Sequence, residues 1–150
     1  MMQWGLFDLA ENPLPTFHRG RICVAGDAAH ASTPHHGAGA GFCVEDAAVL
    51  SSLLDVQRAQ SPRDLAIVFA AFDHCRRDRA QWLVRSSREA AELYEWRAPG
   101  VGGHCDEQIQ GEIRRRQEYI WNLDLDEMIR DAREDLGARL ATVPISSSVP

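Results

Sequence analysis

A sixteen-residue stretch, GDAAHASTPHHGAGAG from Gly26 to Gly41, constrains the fold more than any other part of the chain. It holds four glycines, five alanines and three histidines around one carboxylate, Asp27. Side chains that small bury too little apolar surface to build a core of their own. The segment must therefore lie between elements that can. Arg21 to Ala25 is a short apolar, partly β-branched run ended by Gly26. It predicts a strand buried on both faces, as in a parallel sheet. From Phe42 the period changes. Cys43, Ala47, Leu50 and Leu54 recur at helical spacing, and Val44, Ala48 and Leu53 make the helix apolar on most sides. That pattern predicts a buried helix.

The order strand, small-residue loop, buried helix places two chemical resources at the carboxyl end of a sheet, where open α/β folds bind ligands. Asp27 is a charged acceptor suited to a ribose or ribitol hydroxyl. The helix start at Gly39–Gly41 offers free backbone N–H groups and the positive end of a helix dipole. Gly37, Gly39 and Gly41 let a ligand approach the backbone with no Cβ in the way. The spacing is not that of a GxGxxG dinucleotide fingerprint, because Asp27 precedes the glycines. Taken alone, a loop of this kind is equally consistent with a tight strand-to-helix turn packed against its neighbours.

The remainder of the chain reads as helices. Trp4–Asp8 is a candidate second, weaker strand, and Glu11-Asn12-Pro13-Leu14-Pro15 an extended, exposed connector. His18 to Arg21 reads as a turn. Ser61-Pro62-Arg63-Asp64 is a helix start, with Ser as N-cap and Pro at the first helical position. Leu65, Val68, Phe69, Phe72, Cys75, Trp82 and Leu83 carry that helix to about Tyr94, with a bend expected at Ser86-Ser87. Arg97 to His104 is a loop. Ile109, Ile113 and Tyr119-Ile120 predict a further helix. Asp124 caps a last one, with Gly137 as its stop and residues 141–150 as a frayed tail. One convincing strand without sheet partners implies a piece of a larger protein, or one that needs a partner.

Composition narrows the function. The chain has 150 residues, 45% hydrophobic and 25% charged, with a net charge of -6, and all 16 of its Lys and Arg positions are Arg. An acidic balance argues against nucleic acid or an anionic membrane as the main partner. No stretch approaches a transmembrane span or a signal peptide. Cys23, Cys43, Cys75 and Cys105 show no CxxC spacing, which reads as a reduced cytoplasmic protein with ordinary buried thiols.

Gly20 to Leu54, GRICVAGDAAHASTPHHGAGAGFCVEDAAVLSSLL, closely resembles the second FAD-binding motif of the class A flavoprotein monooxygenases, the aromatic-ring hydroxylases related to salicylate and para-hydroxybenzoate hydroxylase. The shared elements are an apolar strand, G-D-A-A-H, a proline seven residues after the Asp, a Gly-rich loop, and E-D-A-x-x-L on the helix. The resemblance implies that Asp27, after Gly26, hydrogen-bonds the ribityl chain of FAD. It implies that Pro34 lies by the flavin ring and the substrate pocket. It also implies that the N–H groups of Gly39, Ala40 and Gly41, beyond Gly37, face the pyrimidine edge of the isoalloxazine. In such enzymes NAD(P)H reduces FAD, and the reduced flavin reacts with O2 to hydroxylate an aromatic substrate. The family's N-terminal GxGxxG unit, its central D-G motif and its substrate-domain strands have no counterpart in this sequence.

The expected fold is thus an α/β fragment, predominantly helical. Residues 1–60 would be the C-terminal segment of an FAD-binding domain, 61–140 a helical C-terminal region and 141–150 a flexible tail. The expected function is the FAD-binding portion of an NAD(P)H- and O2-dependent monooxygenase, not active alone and completed by a missing N-terminal half or partner chain. The alternative is a non-catalytic helical interaction module, or vestigial paralogue, that pairs with a flavoprotein. No metal site and no catalytic side chain are assigned. His30 is expected to pack or hydrogen-bond within the loop, and His35 or His36 to face flavin or substrate. Glu45 and Asp46, adjacent on a helix, share no face; Glu45 favours the helix start and Asp46 a nearby backbone group. Ser32-Thr33 is no nucleophile elbow. Arg76-Arg77 and Arg114-Arg115-Arg116 read as a solvated face, and Trp82, Trp96 and Trp121 as core.

Overall fold

The structure is a computed structural model that describes residues 5–54, 61–98 and 106–142. Two short strands, β1 (His18–Arg19) and β2 (Ile22–Cys23), pair antiparallel across a turn at Gly20, whose φ is 58°. Next come α1 (Asp27–His30), a 3-10 turn at Pro34–His36, and α2 (Gly39–Leu53). Three longer helices follow: α3 (Pro62–Tyr94), α4 (Asp106–Trp121) and α5 (Leu125–Thr142). The expected predominantly helical architecture with one strand–loop–helix unit is therefore what forms.

The long helix α3 is the spine of the molecule, packing against α5, α2, α4, the 3-10 turn and the hairpin. Its start follows the sequence signal: Ser61 Oγ accepts from the Asp64 N–H at 3.2 Å, and Pro62 occupies the first turn. The helix runs unbroken through Ser86-Ser87, and both serines are buried. The main core joins Phe17, Val49, Leu53, Val68, Phe72, Ala80, Ala132 and Leu136. A smaller cluster joins Ala38, Phe42, Leu83 and Ile120, with Trp82 against it.

The proline-containing connector stays outside regular structure and is tied to α3 by polar contacts. Arg88 donates to both carboxylate oxygens of Asp8, at 2.7 and 3.0 Å. Gln81 donates to the Leu14 carbonyl at 2.7 Å, and Arg77 to the Pro15 carbonyl at 2.6 Å. The Phe17 N–H donates to Asp73 at 2.8 Å, which brings the hairpin onto the core.

Four expectations are corrected. The strand is two residues long, pairs antiparallel, and leaves Ile22 73% exposed, because the described residues place no element over that face of the hairpin. Residues 5–8 form no second strand; Trp4 lies outside the described residues. α2 has the expected period in a different phase: Phe42, Asp46, Val49 and Leu53 face inward while Val44 is 65% exposed. A charge sits in the buried stripe because α3 supplies its partner. Gly137 does not stop α5, which runs on to Thr142. Its φ is not positive, so the chain makes no C-terminal turn there. Asp124 does cap α5, accepting from the Glu127 N–H at 2.9 Å. The loop residues 99–104 and the tail beyond residue 142 lie outside the described residues.

Candidate cofactor-binding site

Gly26 opens the site in a conformation that only glycine adopts without strain, φ 59° and ψ -144°. A Cβ there would meet Cys43 Sγ at 3.2 Å. Its carbonyl accepts the N–H groups of Ala29 and His30 at 2.8 and 2.9 Å, closing the first turn of α1. The next residue, Asp27, is consequently the first of α1 and is exposed. The chain then passes through the 3-10 turn, where Gly37 at φ 63° donates to the Pro34 carbonyl at 2.9 Å.

At Ala38 the chain enters α2 with no side-chain cap. The Phe42 N–H reaches the Ala38 carbonyl at 3.1 Å, so the N–H groups of Gly39, Ala40 and Gly41 precede the first intrahelical bond. No described side chain takes them. A Cβ on Gly41 would meet nothing within 4 Å, and one on Gly39 only Ser32 Oγ at 3.7 Å. Gly37, Ala40, Gly41 and Pro34 are exposed and Gly39 and Gly26 half-buried. The result is an open cradle of uncapped donors at the positive end of a fifteen-residue helix. It suits an acceptor-rich planar edge, while the Asp27 carboxylate suits hydroxyl donors.

Beneath this surface lies a buried ion network that sequence reasoning did not assemble. Asp46, 1% exposed, accepts from the Gly26 N–H at 2.9 Å, from Arg76 Nε at 2.8 Å, and bonds His30 Nε2 at 2.7 Å. Burial pulls its carboxyl upward, but His30, Gly26 and Arg76 outweigh that and hold it below the usual carboxylate range. Arg76, 0% exposed, also pairs with Glu45 at 2.6 Å. Arg79 grips Glu45 with two bonds of 2.9 Å. It also donates to the carbonyls of Tyr119 and Ile120 at the end of α4, at 3.0 and 3.1 Å. The Phe42 ring lies 5.6 Å from the Arg76 guanidinium and 4.5 Å from that of Arg79.

Asp46 thus reaches a backbone group as expected, whereas His30 bonds out of its loop to α2. The reading of Arg76-Arg77 as a solvated face is corrected for Arg76, and Arg116 is also largely buried, on Glu112 and Ser86. A signal was present: Phe72, Arg76, Ala80 and Leu83 share one helical phase, so Arg76 stands in an apolar stripe. Trp96 and Trp121 are 50% and 66% exposed, which overturns their assignment to the core; Trp82 alone packs inward.

His35 and His36 turn to different partners. His35 bonds Thr33 Oγ1 at 2.9 Å, and His36 bonds Ser86 Oγ at 2.9 Å while stacking on Trp82. Burial, with Arg116 and His35 nearby, holds His36 below the usual imidazole range. The thiols of Cys23, Cys43 and Cys75 are free and partly buried. Burial, then Asp73 and Asp46, pushes Cys23 up to about 11. No helix among the described residues is long and apolar enough to cross a membrane.

Residues 1–87 match the family described as the FAD binding domain, more than half of the chain. The chain belongs to that family. It is 45% identical over 139 residues to an FAD-dependent monooxygenase of Stachybotrys chartarum, covering 93% of this chain and 29% of the relative. It is 41% identical over 155 residues to a salicylate hydroxylase of Sarocladium schorii, covering 93% and 32%. A solved salicylate hydroxylase substrate complex superimposes with a TM-score of 0.74 at 41% identity, covering 81% of this chain and 29% of that one. The chain therefore spans about a third of the length of the relatives it matches. The family match covers the hairpin, the Gly-rich loop, α2 and most of α3. The family's cofactor, FAD, fits the residues present: uncapped donors, an open glycine surface and an exposed carboxylate stand on one strand-to-helix junction.

Proposed function

We propose that this chain is the flavin-ring side of the FAD-binding domain of an NAD(P)H- and O2-dependent aromatic monooxygenase, completed by chain that carries the rest of that domain. One observation supports this above the others. The uncapped start of α2 and the exposed carboxylate of Asp27 occupy the same junction in a chain of the FAD-binding family. In this reading Asp27 accepts from ribityl hydroxyls, with Gly26 setting its direction. The Gly39, Ala40 and Gly41 N–H groups donate to the pyrimidine edge of the ring, and Gly37 lets the ring approach the backbone. Pro34 borders the ring and the aromatic substrate. FAD, when bound, supplies the redox and oxygen chemistry. The protein contributes orientation and a positive helix end that favours negative charge on the ring edge.

Residues 1–60 act as the cofactor segment and 61–140 as the helical region that braces it. The relatives' names support the monooxygenase reading and an aromatic substrate of the salicylate kind. Three free cysteines support a cytoplasmic setting. The test is a titration of the 150-residue protein with FAD and with riboflavin side by side, following flavin fluorescence. Saturable binding of both at similar strength, weakened by Asp27→Asn, is the expected result. Absence of binding to either would remove the site assignment from this chain.

A further inference from the structure

We propose that Asp46 is a positioning residue for the flavin turn, and that Arg79 and Glu45 couple the end of α4 to that turn through Arg76. The flavin side of the proposal rests on the function just given; the mechanical side does not. Asp46 is itself buried and does not reach the surface of the junction. It holds the N–H of Gly26, the residue immediately before Asp27, and the ring of His30, which ends α1. Both bonds go to the same oxygen, Oδ2, while Oδ1 is held by Arg76 Nε. A carboxylate engaged on both oxygens has little freedom to rotate. The peptide that aims Asp27 is therefore set by α3, not by α1 alone.

Arg76 carries the linkage onward. Besides Asp46 it pairs with Glu45, and it donates to the Phe42 carbonyl in the first turns of α2 at 3.4 Å. Glu45 is shared with Arg79, whose remaining donors end on the last carbonyls of α4. Two acidic side chains from α2 and two arginines from α3 thus connect the turn at Gly26 with a helix some ninety positions later in sequence. A contiguous network of this kind can carry coupling, and coupling has to be measured.

The decisive measurement is amide hydrogen exchange of the 150-residue protein and of Arg79→Met and Arg79→Lys variants. Arg79 lies neither in the flavin turn nor against Asp46, so a local effect would stop at its own contacts: Glu45, the Phe42 ring and the end of α4. The expected result for Arg79→Met is exchange faster by on the order of tenfold within Gly26–Ala31, where the amides of Gly26, Ala29, His30 and Ala31 are hydrogen-bonded, since it removes several charge-assisted bonds. Protection at Val68–Phe72, in the other half of α3, should stay at wild-type level, and Arg79→Lys should recover part of the loss. Unchanged exchange at Gly26–Ala31, or an equal rise along the whole chain, would overturn the proposal. A flavin titration of Asp46→Asn separates the two readings. If wild type binds flavin and Asp46→Asn binds it equally well with an unchanged visible spectrum, positioning fails and the cofactor site stands. If wild type binds no flavin, the cofactor site fails and the exchange data still decide the coupling.

Discussion

Gly26 and Gly41 belong to one motif but answer to different constraints. Gly26 sits at φ 59° with Cys43 Sγ 3.2 Å from where a Cβ would stand. Gly26→Ala should therefore destabilise the protein by about 1–3 kcal/mol, read as a lower thermal midpoint. Gly41 lies in the first turn of α2, with open space where its Cβ would be. Gly41→Ala should leave stability unchanged or raise it by up to about 1 kcal/mol. It should nonetheless weaken flavin binding, because the open space is where the ring would approach the backbone. A Gly41→Ala protein that melts higher and binds flavin normally would argue against that approach.

At the scale of elements, the junction between α2 and α3 depends on charges that water does not reach. Removing Arg76 leaves Asp46 buried with its main cation gone. Arg76→Met should cost about 3–5 kcal/mol, seen as a lower urea midpoint. Arg115, exposed and paired among the described residues with Glu112 of its own helix, is the control, and Arg115→Ala should leave the midpoint where it is. The 3-10 turn has its own pH dependence. His36 faces Ser86, Trp82, Arg116 and His35, and burial favours its neutral form in the folded protein. The unfolded chain takes up that proton first as pH falls. Stability contributed here is present above the ordinary imidazole value, about 6.5, and is lost as pH drops below it. Urea midpoints at pH 7.5 and 5.5 should therefore differ more for wild type than for His36→Gln.

Across the whole molecule, α5 closes the core from the far end of the sequence. Leu136 is 0% exposed and shares a cluster with Phe17, Val49, Leu53 and Phe72. Leu136→Ala should cost about 2–5 kcal/mol. Because those contacts join α5 to α2 and α3, the loss should move one transition, monitored by Trp fluorescence and far-UV circular dichroism together. Separate transitions would mean that the helical region and the cofactor segment fold independently. Leu6, Phe7, Ile22 and Val44 are apolar and more than 60% exposed in this chain.

The sequence by itself determined where the helices lie and which small and charged residues line the loop. Periodicity located α2, α3, α4 and α5, and cap residues Ser61 and Asp124 marked two helix starts, because these signals act within one turn of helix. The positive φ of Gly26 and Gly37 and the uncapped start of α2 at Gly39 obey equally local rules. The tertiary structure alone decided which face of α2 turned inward, whether Ile22 was covered, and why Arg76 and Asp46 are buried. Those outcomes depend on groups far apart in sequence: Arg76 bonds Asp46 across 30 positions, and Leu136 of α5 shares a core with Val49 of α2. A charge in an apolar stripe is costly until its counter-charge arrives, and only the folded chain brings Asp46, Glu45, Arg76 and Arg79 together.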